Sequence, residues 1–185
     1  NLRSAQLQSI SSDTLKALRT DQLAALTSTQ IATLSADQVG ALSTDQMKAF
    51  KAANLGSLKT DQIRAMGAAG IAKLSSDQVV ALTSLQFPAL TSDQIRALTT
   101  DQVKVIETRD LVSLSTDQIR RLTTDQIRSM TTDQISSLTS NQVRSITTDT
   151  FVKLMTDQVV ALSSSQFASL TTDQIRAFTT DQIKV

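Results

Sequence analysis

An eight-residue period runs through this chain without a slip, and it limits the fold more than any other property of the sequence. The stretch Ser115-Thr116-Asp117-Gln118-Ile119-Arg120-Arg121-Leu122 returns as Thr123-Thr124-Asp125-Gln126-Ile127-Arg128-Ser129-Met130. One apolar series runs Leu7, Leu15, Leu23, Ile31 and Val39, through Ile63, Val103 and Ile135, to Ile175 and Ile183. A second runs Leu2, Ile10, Leu18, Leu26 and Leu34, through Met66, Ile106 and Met130, to Leu170 and Phe178. The 185 residues therefore read as one continuous array of 23 octads, with no linker and no domain boundary. Register kept through so much side-chain variation is a physical constraint, since one inserted residue would misplace every later core side chain.

Three conformations can carry such a period, and spacing separates them. In a strand, Ile119 and Leu122 would point to opposite faces, because side chains alternate with period two. In one continuous α-helix, eight residues advance by about 800°, so the apolar stripe would drift by about 80° per octad, far from a coiled-coil seam. A short helix that stops and restarts once per octad places Ile119 and Leu122 on a shared face. The polar half of the unit carries the restart. Thr123-Thr124-Asp125-Gln126 fits a capping box, a hydroxyl at the N-cap with Gln three positions on. With Thr123 as the cap, Leu122 and Ile127 form a hydrophobic staple and Asp125 meets the positive end of the helix dipole. Thr124 is the other candidate cap. Hydroxyls are more regular at its position, with exceptions Ala36, Ala52 and Ala68, than at the first, which admits Arg19, Lys59, Glu107 and Met155.

Two buried aliphatic side chains cannot offset the conformational entropy of ordering eight residues, so an octad has to be stacked on others. Small residues before the second apolar position, at Ala17, Ala25, Ala41, Ala65, Ala97, Ser129, Ser137 and Ala177, leave room for close helix approach. The expected fold is all-α: a solenoid or superhelix of very short helices, about two turns each, one per octad, whose units touch mainly their neighbours. The Gln position departs to Thr14, Asn54, Gly70, Asp110 and Thr150, several of them 40 residues apart. Asp77-Gln78-Val79-Val80-Ala81-Leu82 returns as Asp157-Gln158-Val159-Val160-Ala161-Leu162, so a five-octad block has been duplicated, either as mere ancestry or as one superhelical turn. Pro88 falls inside a predicted helix and removes one backbone hydrogen bond.

Chemistry is scarce. The chain has no Cys, His, Trp or Tyr, which removes the usual zinc, haem and iron–sulfur ligand sets and the Cys–His and Ser–His–Asp nucleophile systems. Absent cysteine fixes no compartment, although it suits a chain that crosses membranes unfolded. A formal charge of +1 gives no pull on nucleic acid or anionic lipid. No apolar run approaches the roughly 20 residues of a membrane span, and Asn1-Leu2-Arg3-Ser4-Ala5-Gln6 resembles no signal peptide. Asp93 with Arg96, Asp117 with Arg120 and Asp173 with Arg176 are spaced to pair on one helix as a solvated charged face. The Ser and Thr rows are explained by capping, ahead of ice binding or glycosylation. One Asp per octad without a Gly-turned loop does not assemble the six to eight oxygens calcium takes. The five Phe residues, Phe50, Phe87, Phe151, Phe167 and Phe178, fall on the two core series. An enzyme reading would have to rest on a convergent pair such as Glu107 with Asp110. The expectation is a non-enzyme with no catalytic, cofactor-binding or metal-binding residue and no cofactor.

The units Leu98-Thr99-Thr100-Asp101-Gln102-Val103 and Leu170-Thr171-Thr172-Asp173-Gln174-Ile175-Arg176-Ala177-Phe178 resemble the Thr-Thr-x-Gln-Ile/Val-x-Ala-Leu arrays of very large bacterial surface or secreted proteins, often labelled adhesion or haem-utilisation proteins. The resemblance spans the whole chain and transfers no ligand or catalytic residue; a haem role finds no His, Cys or Tyr here. It implies an extracellular or cell-surface stalk, spacer or filament component. Self-association is the expected partnership, since the register is already running at Leu2 and still running at Ile183, as in a section of a longer array or one whose ends other subunits cover. The alternative is a solenoid binding module, an adhesin whose concave face grips a peptide, glycan or surface. Such a groove calls for aromatic or charged departures gathered on one face, whereas Arg and Lys are spread thinly here.

Overall fold

A computed structural model describes residues 3–183. Among them every regular element is helical: α-helices of four to six residues, one per octad, with a 3-10 turn at Phe87–Ala89 in place of one of them. The all-α solenoid of short helices expected from the period is the fold found, with helices tighter than two turns. Leu2, named in the second apolar series, lies outside the described residues. The chain divides into two compact units, residues 1–98 and 99–185.

The octad Thr123–Met130 shows how each helix starts and stops. Thr123 is extended, at φ −74° and ψ 163°, and its hydroxyl accepts from the Gln126 N–H at 3.2 Å. Gln126 returns the favour, its Oε1 accepting from the Thr123 N–H at 2.7 Å. Leu122, also extended, and Ile127 at the fourth helical position are both buried, which completes the staple around the cap. At the far end the Met130 N–H donates to the Ile127 carbonyl at 3.2 Å, and Met130 turns extended. Two consecutive extended residues thus break the axis once per octad. The first hydroxyl of each pair is the cap. Where that position holds Arg19, Lys59 or Met155, the N-cap side chain makes no cap bond and the glutamine bond closes the start, joined in the Met155 octad by Asp157 Oδ1, which accepts from the Gln158 N–H at 3.0 Å.

Within each unit the helices stack on those three octads away. Ser12–Lys16 packs on Ala36–Ala41, which packs in turn on Thr60–Ala65; in the second unit Thr100–Val105 packs on Thr124–Ser129, and Thr108–Ser113 on Thr132–Ser137. At three of the small positions a Ser hydroxyl bonds across: Ser57 Oγ to the Ser28 carbonyl, Ser129 Oγ to that of Thr100 and Ser169 Oγ to that of Ser140, at 3.2, 3.3 and 3.2 Å, whereas Ser113, Ser137 and Ser145 bond within their own helices. At some octads the second hydroxyl of the pair works between turns, as Ser28 Oγ reaches the Ala53 carbonyl and Ser140 Oγ that of Ser165. These bonds span 25 to 31 residues, so of the two readings of the five-octad block, ancestry or a superhelical turn, the turn is not the one found. The 40-residue echo is therefore no structural unit of the stack.

Two octads are built differently. Met66 stays helical and Gly67 reverses the chain at φ +67°, replacing the extended pair used elsewhere. That conformation costs a side-chain-bearing residue but not glycine. At Pro88 the missing N–H reduces the octad to a turn and the Phe87–Ala89 3-10 segment, closed by Ala89 N–H to Gln86 and Leu90 N–H to Phe87, 3.0 and 3.1 Å.

Candidate functional site

The side chain with the most demanding surroundings is the glutamine at the third helical position. Its oxygen caps its own helix, and its nitrogen reaches into the neighbouring turn. Gln134 Nε2 donates to the carbonyls of Val103 and Ile106, each at 2.8 Å. Gln158 repeats this with Ile127 and Met130 at 2.9 and 2.8 Å, Gln142 with Leu111 and Leu114, and, in the first unit, Gln38 with Leu7 and Ile10. Those carbonyls lie at the C-terminal end of a helix four octads back; for Gln134, Gln142 and Gln158 the first of each pair also accepts the N–H three residues on, and the second lies just past the helix end. One buried amide therefore satisfies the start of its own helix and the end of another. A single turn of each unit holds between three and four octads.

This arrangement explains the departures. Asn54 is one methylene shorter; its Nδ2 still reaches the Leu26 carbonyl, at a long 3.4 Å, while its Oδ1 accepts from Ser28. Thr150 bonds instead to Thr147 and Thr124 through hydroxyls. At Gly70 the Met47 thioether occupies the space: a Cβ there would lie 2.5 Å from Met47 Sδ. Asp110 is the discordant member. It is buried, its carboxylate has no N–H to offer, and Oδ1 has no hydrogen-bond partner. Burial pushes its pKa up from the ordinary carboxylate value, opposed by Arg109 and assisted by Glu107.

The convergent pair singled out in sequence is thus brought together, with Arg109 between its members. Arg109 Nη2 lies 2.8 Å from Glu107 Oε2, and its Nε 3.8 Å from Asp110 Oδ1. One carboxylate is held by an arginine and the other is turned into the protein. Of the three predicted Asp–Arg pairs, Asp117 and Arg120 form an ion pair, and the same spacing brings Asp101 and Lys104 to 3.8 Å. Asp173 and Arg176 form none. Among the described residues no group of three or more acidic residues is placed to hold a metal ion, and no helix is long and apolar enough to cross a membrane. A shallow cleft in the second unit, lined by Lys104, Asp125, Arg128, Met130 and Met155, mixes both charges.

Burial changes in opposite senses at the two ends of the described chain. Gln6, Thr14 and Gln22 are exposed, whereas the glutamines from Gln38 onward are buried. The first apolar series behaves in reverse: Leu7, Leu15 and Leu23 are fully covered, but Phe167, Ile175 and Ile183 are 39%, 47% and 67% exposed. Phe50, Phe87 and Phe151 are core residues as expected. Phe167 is partly exposed; it stacks on Phe178 at 5.7 Å, and Phe178 in turn meets Phe151 edge-on at 5.4 Å.

The ALTTAQ repeat matches four stretches, residues 23–52, 49–84, 103–140 and 151–185. A comparison with curated proteins returns no match.

Proposed function

Because this chain belongs to the ALTTAQ repeat family, we propose that it is a structural array that spans distance and self-associates, and that it has no catalytic role. The observation that carries this reading is where the repeated polar side chain is spent. From Gln38 onward the recurrent glutamine is buried between turns and engaged there, so it is not offered to a ligand. Capping hydroxyls are engaged likewise, and the Glu107–Asp110 pair is tied up by Arg109 and burial. What remains outward is a thin scatter of charge, suited to solubility.

The resemblance to arrays of bacterial surface and secreted proteins supports a place outside the cell, as stalk, spacer or filament component. A chain without cysteine is also indifferent to an oxidising environment. Electron microscopy of the protein across a concentration series, with circular dichroism on the same samples, tests the proposal. Helical spectra with particles that lengthen by association support it. Helical particles of one size at every concentration would shift the reading to a binding module, and a β or disordered spectrum would end it.

A further inference from the structure

The charge on the second unit is thin, but it is sorted by flank. Its helices stack in columns of every third octad. In each helix the first-turn acid position and the position three residues on face outward, exposed or half-buried wherever they are described. In the column of Thr100–Val105 and Thr124–Ser129 these positions carry opposite charges, Asp101 with Lys104 and Asp125 with Arg128. In the column of Thr108–Ser113, Thr132–Ser137 and Thr156–Val160, the acids Asp133 and Asp157 stand without a base, because Ser136 and Val160 fill the basic position; Arg109 is held by Glu107. In the column of Thr116–Arg121, Ser140–Ser145 and Ser164–Ala168 the imbalance is reversed. Arg144 has Asn141 where an acid would be, Arg121 occupies a position that is small in most octads, and Arg120 alone has its acid, Asp117. One flank is balanced, one acidic and one basic.

We infer that the basic flank of one molecule seats on the acidic flank of a second copy of the same chain, side by side. This rests on the self-association proposed above and names its surfaces. Charge complementarity selects the occupant: the acids that lack a base on one flank are answered by bases that lack an acid on another flank of the same unit. The acidic flank also offers apolar surface, since Val112 and Val160 are 41% and 61% exposed. A shallow cleft between Thr132–Ser137 and Thr156–Val160 is lined by Thr132, Thr156, Asp157, Val160 and Ala161. An arginine suits such a surface, its apolar stem lying along the valine while the guanidinium meets the carboxylate. Arg121 and Arg144 are exposed, and neither belongs to an ion pair among the described residues. Because the two flanks differ, a pair of molecules still presents one free flank of each kind, and lateral growth does not close after two copies.

The test uses the 185-residue chain. Its mass distribution is followed by sedimentation over a wide concentration range at low and high salt. Two charge-swapped proteins are compared with the parent: Arg121→Glu with Arg144→Glu, which makes the basic flank acidic, and Asp133→Lys with Val160→Lys, which makes the acidic flank basic. Arg128→Glu, on the balanced flank, controls for altered charge. In parallel, Asn141→Cys and Ser136→Cys proteins, one thiol on each flank, are mixed with a short bismaleimide, which is clean because the chain has no cysteine of its own. The expected result is association that salt weakens, that falls by about tenfold or more in each swapped protein alone, and that returns when the two are mixed. Arg128→Glu behaves as the parent, and a 141-to-136 cross-link forms between different molecules. Circular dichroism checks that the swapped proteins keep their helices; if either does not, the cross-link decides. Association that survives both swaps, or a mixture that fails to recover and gives no cross-link, overturns this interface while leaving self-association standing. A parent that is monomeric at every concentration overturns both and leaves the charged flanks to a partner of other chemistry.

Discussion

At the residue scale, the glutamine determines most. Gln158 is fully buried, holds the carbonyls of Ile127 and Met130, and closes the Met155 N–H at a helix start where Met155 has no hydroxyl and Asp157 Oδ1 accepts from the Gln158 N–H. Gln158→Ala strands the Met130 carbonyl and the Met155 N–H and removes a second donor from the Ile127 carbonyl, and it should lower unfolding free energy in urea by about 2–4 kcal/mol, by the cost of buried polar groups left unpaired. Gln22→Ala, on an exposed glutamine, should cost less than about 1 kcal/mol. Asp110 supplies a pH dependence. Its pKa is raised by burial, so the folded state holds its proton more tightly than the unfolded one; stability is fully present below the ordinary carboxylate pKa and is lost as pH rises through the raised value. Urea midpoints measured across that window should fall with pH in the parent and stay flatter in Asp110→Asn. The role of glutamine was only half legible in the sequence. A capping box is local and could be read from Thr123 and Gln126, but the second bond goes 28 to 31 residues back, and no local pattern encodes where the chain returns.

At the scale of the element, the octad works because its helix is stopped as definitely as it is started. The stop is the tight turn from Met130 to Ile127 followed by two extended residues; the start is cap, acid and staple. Octads lacking one part should respond to repair. Met155→Ser supplies a hydroxyl at an extended N-cap position and should raise stability by about 1 kcal/mol, the worth of an N-cap. Gly67→Ala should lower it by about 1–2 kcal/mol from backbone strain alone, since no heavy atom lies within 4 Å of the added Cβ. Both are read from thermal or urea unfolding. The sequence identified the helix, its polarity and its staple. It left two hydroxyls as candidates, because Thr124 is the more regular position; the structure gives the cap to the first, and at Ser28, Thr124 and Ser140 the second bonds between turns.

At the scale of the whole molecule, each octad depends on those three and four octads away, so damage should spread by that distance and fade beyond it. Amide hydrogen exchange of Gln158→Ala should quicken around residues 127–130 and within its own helix, and be unchanged around Gln38. The number of octads per turn was not legible beforehand, since it follows from the angle between successive helices, set by the paired extended residues and not by any side chain's type. The duplicated 40-residue block left ancestry and a five-octad turn both open, and the hydrogen bonds place the return between three and four. The central claim is that one buried amide per octad ties the start of its helix to the end of another. Exchange of the glutamine side-chain amide protons, followed by NMR, tests it without altering the protein. The account predicts slow exchange for Gln134, Gln142, Gln158 and Gln166 and free exchange for Gln6 and Gln22 in dilute samples. Uniformly fast exchange along the whole series would contradict it.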